Sequence, residues 1–187
     1  MLSGRRLDLL DPSPLDIEIE DIALGLSRVA RWNGQTTGEH GFSVAQHSLL
    51  VLDILESLAK RPSRTLRLAA LLHDASEFVT ADLITPFKAV IGDSYKAVES
   101  RIQAAVHLRF GLPAQLQEDW HATIKRADRD AAFHEAVALA GFAEEEARRI
   151  FGFRRARNVG LLAAWPAEEA RQRFLTRFRS LASAGER

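Results

Sequence analysis

The sequence contains no cysteine. Disulfide bonds and thiolate metal sites are therefore excluded, and any metal ion must be held by histidine or carboxylate. Neither sign of charge is in excess, because 25 Lys and Arg offset 25 Asp and Glu. No overall field then draws the chain to a nucleic-acid polymer or an anionic membrane. No stretch approaches the ~18 consecutive apolar residues that suggest a membrane span. Residues 1–10 hold Arg5 and Arg6 without a sustained apolar run, unlike a secretory signal. The expectation is a cytoplasmic protein with neither nucleic-acid polymer nor membrane among its partners. Alternating strand patterns, internal repeats and low-complexity tracts are also missing. Gly34 and Gly38 lie outside any strand-to-helix setting, so they do not form a phosphate-binding loop.

What is present is helical periodicity. A chain of 187 residues with 47% hydrophobic content is most simply one globular domain. Asp11-Pro12-Ser13-Pro14 disfavours helical geometry, so residues 1–19 read as an extended arm before a helical domain over 20–187. Asp21 is positioned to cap a helix with Ile22, Leu26 and Val29 on one face. Ser43-Val44-Ala45-Gln46 reads as a capping box. The helix that follows carries Val44, His47, Val51, Ile54, Leu55 and Leu58 on one stripe, which turns His47 toward the core. Residues 65–78 read as one helix, apolar nearly all round and hence the buried centre of the fold. Thr85-Pro86 reads as a break. Further helices are expected from Asp93 or Ser94, from about Pro113 to Leu139, and from Pro166. The predicted fold class is all-α, with six or more helices.

His73-Asp74 follows the apolar run Leu68-Ala69-Ala70-Leu71-Leu72. Burying two ionisable side chains there is costly unless they are paired or bind a metal. His47 upstream and Asp128 downstream add a second imidazole and a second carboxylate, a donor set suited to divalent cations. Each residue alone has a plainer meaning. His47 would be a hydrogen-bonded core histidine and His73-Asp74 a buried ion pair. Asp128 would belong to the solvated charge cluster Lys125-Arg126-Ala127-Asp128-Arg129-Asp130, in which Asp130 is the alternative aspartate. The combination, with Glu77 and Asp82 close behind, points to a metal site spanning about 43–130 and to phosphate-ester hydrolysis. Such a metal lowers the pKa of bound water from about 16 to about 7 in the best cases, supplying a nucleophile at neutral pH. His40, His107, His121 and His134 have no comparable setting and read as surface or packing residues.

The ordered set His47, His73-Asp74, Asp128 resembles the HD-domain metal-dependent phosphohydrolase superfamily. The flanking segments Asp21-Ile22-Ala23, Leu26-Ser27, Arg31-Trp32, Ser43-Val44-Ala45-Gln46-His47-Ser48, Leu71-Leu72-His73-Asp74-Ala75-Ser76-Glu77 and Ala81-Asp82-Leu83-Ile84-Thr85-Pro86-Phe87-Lys88 resemble its YfbR-like 5′-deoxyribonucleotidase branch. The resemblance covers roughly residues 18–140.

It implies His47, His73, Asp74 and Asp128 as ligands of one divalent metal ion (Mn, Co, Ni, Fe, Zn or Mg), with Glu77 as a catalytic carboxylate beside the attacking water. His73 and Glu77 share a face if one helix extends that far. Asp82 is a second carboxylate near the water or the sugar. Arg31 is the phosphate clamp, since a guanidinium binds phosphate oxygens bidentately. Trp32, Thr85 and Lys88 are the further substrate-side residues; Trp32 reads equally as a loop anchor and Lys88 as a surface lysine. The expected activity is a phosphomonoesterase on nucleoside 5′-monophosphates or similar small esters. The alternatives are a metal- and nucleotide-binding sensor without turnover, or a phosphodiesterase. A homodimer through an apolar helix face is compatible with the pattern. One departure stands out: Gln46-His47-Ser48 occupies the place where related sequences commonly have Glu-His-Ser, so a carboxylate beside a ligand is lost.

Overall fold

The computed structural model describes residues 1–153 and 159–182. It is helical throughout: α1 (Ile19–Arg28), α2 (Val44–Leu58), α3 (Arg64–Leu71), α4 (Glu77–Thr80), α5 (Thr85–Ile91), α6 (Asp93–Arg109), α7 (Glu118–Ala138), α8 (Glu144–Phe151) and α9 (Ala167–Ala182). Among the described residues the only bridge pairing joins Ala30 and Ser43. The fold is all-α, as expected. No described helix is long and apolar enough to cross a membrane.

The central helix is α2, not the 65–78 segment. It packs on α1, α3, α7 and α9, and Val44, Val51, Leu52, Ile54 and Leu55 are buried along it. The expected 65–78 helix is instead two helices separated by a turn, and α3 is only eight residues long. Its apolar character is real, since Leu68 to Leu72 are all buried, but the run is too short to form the centre.

Local chemistry accounts for most boundaries. Ser43 Oγ accepts from Gln46 N–H at 3.2 Å, the first half of the capping box. The second half does not form, because the Gln46 side chain reaches elsewhere. Its Nε2 donates to the Ala163 carbonyl at 2.7 Å and its Oε1 accepts from Trp165 N–H at 3.0 Å. Asp21 does not cap α1, which starts two residues earlier. Its carboxylate instead accepts from Ser3 N–H at 3.0 Å and from the Ser3 hydroxyl, fastening the N-terminal arm to α1. Thr85-Pro86 opens α5 rather than only ending a segment; a proline in the first turn forfeits no helical hydrogen bond. Gly25 in α1 lies against α4, where an added Cβ would fall 2.8 Å from Phe78 Cβ and from its carbonyl oxygen. That close approach seats α4, and Glu77 with it, against α1.

Candidate metal centre

His73 and Asp74 lie on the turn between α3 and α4. The turn begins because a side chain competes with the helix for a carbonyl. In a continuing helix the Ala70 carbonyl would accept from Asp74 N–H. Here it accepts from His73 N–H at 3.4 Å, and His73 Nδ1 lies 2.9 Å from it. His73 and Glu77 therefore do not share one helix face; Glu77 is the first residue of α4. The Nδ1 contact fixes the ring so that Nε2 faces inward.

His47 projects from α2 and is fully buried. Its Nδ1 lies 2.5 Å from Glu135 Oε1, and its Nε2 faces Asp128 Oδ1 at 3.4 Å and Asp74 Oδ2 at 3.5 Å. His73 Nε2 is 3.1 Å from Asp74 Oδ2, and the two imidazole rings are 5.2 Å apart. His47, His73 and Asp128 each offer a ligand atom within 4.8 Å of the others. Asp128, and not Asp130, faces the imidazoles. Asp130 is buried on another side of α7, near His134.

The donor set fits a divalent cation. Both inward Nε2 atoms are buried without a hydrogen-bond partner, an expensive arrangement unless a cation takes their lone pairs. Each histidine is oriented from behind by an acceptor on Nδ1, the usual support of a ligating imidazole. The charge balance agrees. Burial disfavours the Asp74 carboxylate, but the His73 and His47 imidazoles outweigh it and hold the acid well below its ordinary range. Asp128 is likewise lowered, burial being overcome chiefly by the His47 imidazole 3.4 Å away. Burial and Arg31 push His47 down, yet Glu135 and Asp128 prevail and lift it to about 10. The carboxylates thus hold positive charge at the point where the imidazoles converge.

Glu77 is buried, with one oxygen 3.6 Å from Lys88 Nζ and the other without a partner. Burial, then the charges of Asp74 and Asp82, raise its carboxyl to about 9 against the pull of Lys88 and Arg31. Asp82 is also raised by burial, against the pull of Arg31. Arg31 Nε donates to Glu135 Oε2 at 2.9 Å, and its Nη1 lies 3.4 Å from Asp82 Oδ2 and 3.9 Å from Asp74 Oδ2. Trp32 Nε1 donates to the same Glu135 oxygen at 3.0 Å, and its ring rests on Phe142. Trp32 has φ 56° and Ala81, just before Asp82, has φ 62°. Such conformations are strained for side-chain-bearing residues and cluster at functional sites. Thr85 opens α5, but its side chain lies outside the described residues.

A cavity of about 510 Å³ opens beside this cluster, lined by His73, Asp74, Lys88, Gln103, His107, His121, Lys125 and Asp128 among others. That volume suits a small organic ligand and exceeds what a phosphate alone needs. His107 and His121, which read as ordinary residues in the sequence, are therefore part of its wall. Glu135 was not singled out at all. It stands seven residues after Asp128, two helical turns along the same face, and that spacing was the available signal. Gln103 carries no such signal.

A sequence profile of the family described as 5′-deoxynucleotidase YfbR-like matches residues 24–142. The chain belongs to this family. The matched span includes His47, His73, Asp74, Glu77, Asp82 and Asp128. An uncharacterized protein of Rhodobacter capsulatus is 60% identical over 152 residues, covering 81% of this chain and 78% of its own. A 5′-deoxynucleotidase of Pasteurella multocida is 30% identical over 168 residues, covering 78% and 84%. A 4′-phosphooxetanocin A phosphatase of Priestia megaterium is 31% identical over 118 residues, covering 58% and 60%. The YfbR-like chain is a phosphohydrolase, and its imidazole–carboxylate cluster is its candidate metal centre.

Proposed function

We propose that this phosphohydrolase is a metal-dependent phosphomonoesterase acting on nucleoside 5′-monophosphates. One observation carries the reading. The unpartnered Nε2 atoms of His47 and His73 converge with Asp74 and Asp128 beside a cavity large enough for a nucleotide. The 5′-deoxynucleotidase of Pasteurella multocida supports the substrate class. His47, His73, Asp74 and Asp128 would hold the cation. When bound, a divalent cation polarises a phosphoryl oxygen and activates water.

The remaining work falls to the chain's own side chains. Arg31 binds the phosphoryl oxygens and offsets the charge that grows on them in the transition state. With a cation's charge beside it, the Glu77 carboxyl would fall below its metal-free value of about 9, and Glu77 then orients the attacking water and accepts its proton through the unpartnered oxygen. The water oxygen bonds to phosphorus as the bond from phosphorus to the 5′ oxygen breaks. Asp82 returns a proton to that leaving oxygen; its raised pKa supports the role. Lys88, at the cavity wall beside Glu77, adds positive charge near the phosphate. Trp32 holds the Arg31 loop through Glu135 and borders the substrate. The reading includes a cytoplasmic setting and a homodimer through an apolar helix face, the latter supported by the exposed Phe87 and Val90 of α5 and tested by the mass in solution.

The test is phosphate release from a panel of nucleoside 5′-monophosphates. Chelator-stripped protein receives Mn, Co, Ni, Fe, Zn or Mg singly, beside the His73→Ala variant. Release that requires metal and vanishes in the variant is expected. Tight metal binding without release from any monophosphate would replace the enzyme reading of this substrate class with another ester or a sensor.

A further inference from the structure

The two ligands His73 and Asp74 sit on an irregular turn rather than on a helix, so regular helical hydrogen bonding does not hold them in place. A side chain from α6 supports the turn. Gln103 Oε1 accepts from Ser76 N–H at 3.0 Å, and Gln103 Nε2 donates to the Leu72 carbonyl at 2.7 Å. One amide therefore grips the residue immediately before His73-Asp74 and the residue two places after. Leu72 and Ser76 are both buried; without Gln103 the Ser76 N–H would be left unsatisfied and the Leu72 carbonyl would keep only its bond from Ala75 N–H at 3.1 Å.

The amide's orientation is itself fixed. Gln103 Nε2 lies 2.9 Å from His107 Nε2, while His107 Nδ1 lies 3.3 Å from the Ala114 carbonyl. The carbonyl accepts from Nδ1–H, which leaves Nε2 as an acceptor for the second Gln103 N–H. A flipped amide would set its oxygen against both the Leu72 carbonyl and the His107 lone pair.

We infer that Gln103, oriented by His107, is a positioning residue that fixes the spacing of His73 and Asp74 from α6. The inference rests on the proposed metal centre. It assigns a functional part to two cavity-wall residues outside the ligand set.

The experiment titrates chelator-stripped full-length protein with Mn²⁺ or Co²⁺ alone by calorimetry. It compares the wild type with Gln103→Met, Gln103→Glu, His107→Phe and His107→Gln, and includes Leu175→Ala as a core variant on α9. Tm, kcat and KM are recorded in parallel. Gln103→Met is expected to weaken metal binding about 10–100-fold, the usual effect of losing outer support for a ligand. Its kcat should recover partly as metal is raised, with KM little changed. Gln103→Glu keeps the acceptor for Ser76 but sets an oxygen against Leu72, so it should also bind metal weakly. His107→Gln retains an acceptor and should hold metal better than His107→Phe. Leu175→Ala should lower Tm with metal affinity intact. Wild-type metal affinity in Gln103→Met, or a loss matched by Leu175→Ala at equal Tm, overturns the inference and leaves the metal centre standing. A wild type that binds neither ion overturns both.

Discussion

Nδ1 of His47 lies 2.5 Å from Oε1 of Glu135, and both side chains are fully buried. The second oxygen of the same carboxylate accepts from Arg31 and Trp32. One buried group thus orients a candidate metal ligand and anchors the candidate phosphate clamp. Burial alone would raise Glu135, but Arg31 and His47 hold its carboxyl down at about 2. Glu135→Gln offers one carbonyl oxygen where three donors converge. It should weaken metal binding about 10–100-fold and also raise KM for the nucleotide. Glu135→Ala leaves a buried guanidinium without its main partner and should cost about 3–5 kcal/mol of stability. Calorimetric metal titration, steady-state kinetics and denaturant unfolding measure the three effects.

Glu77→Gln separates chemistry from metal binding. The substitution keeps the shape and removes the proton acceptor. Turnover should fall by about 10²–10⁴-fold, the range for losing a positioned base, while metal stoichiometry stays at the wild-type level. Elemental analysis beside single-turnover kinetics checks the pair. An unchanged rate would remove Glu77 from the mechanism.

The same variant has a signature in stability against pH. In metal-free protein the Glu77 carboxyl is raised from 4.5 to about 9. The native state then holds a proton that the unfolded state has lost, so stability falls as pH rises between those values. His47, raised from 6.5 to about 10, acts in the same direction over its own window, since stability gained from its proton is lost as pH climbs. Glu77→Gln removes only the first contribution. Its Tm relative to wild type should therefore increase from pH 5 to pH 8.5 in chelator. Parallel Tm curves for the two proteins would contradict the assignment.

Gln46, where the resemblance leads one to expect a glutamate, has a structural part of its own. Its amide donates to the Ala163 carbonyl and accepts from Trp165 N–H, a two-sided match to backbone that a carboxylate cannot make. Trp165 in turn lies under Arg173 of α9. Gln46→Glu keeps the acceptor but turns an anion toward a carbonyl, and should cost about 1–3 kcal/mol. Metal affinity should change little, because the side chain reaches residues 163–165 while the neighbouring His47 faces the candidate metal centre. Urea unfolding together with metal titration distinguishes this from an effect on the metal centre.

The sequence by itself determined the helical class, the inward face of α2 and the set of groups that a metal could use. Period and residue type suffice for these: His47 falls on the Val44–Val51 stripe, and a chain without cysteine has only imidazole and carboxylate for strong ligands. The resemblance carried the choice among carboxylates, which composition could not make. Tertiary structure decided the rest. The Ala70 carbonyl went to His73 instead of to the helix, so an apolar run that reads as one central helix became a helix and a turn. Glu135 and Gln103 lie 88 and 27 residues from the backbone or ring groups they hold. Periodicity registers contacts a few residues apart along one helix. Contacts between helices are set by how buried faces meet, and there the supports of the candidate site were chosen.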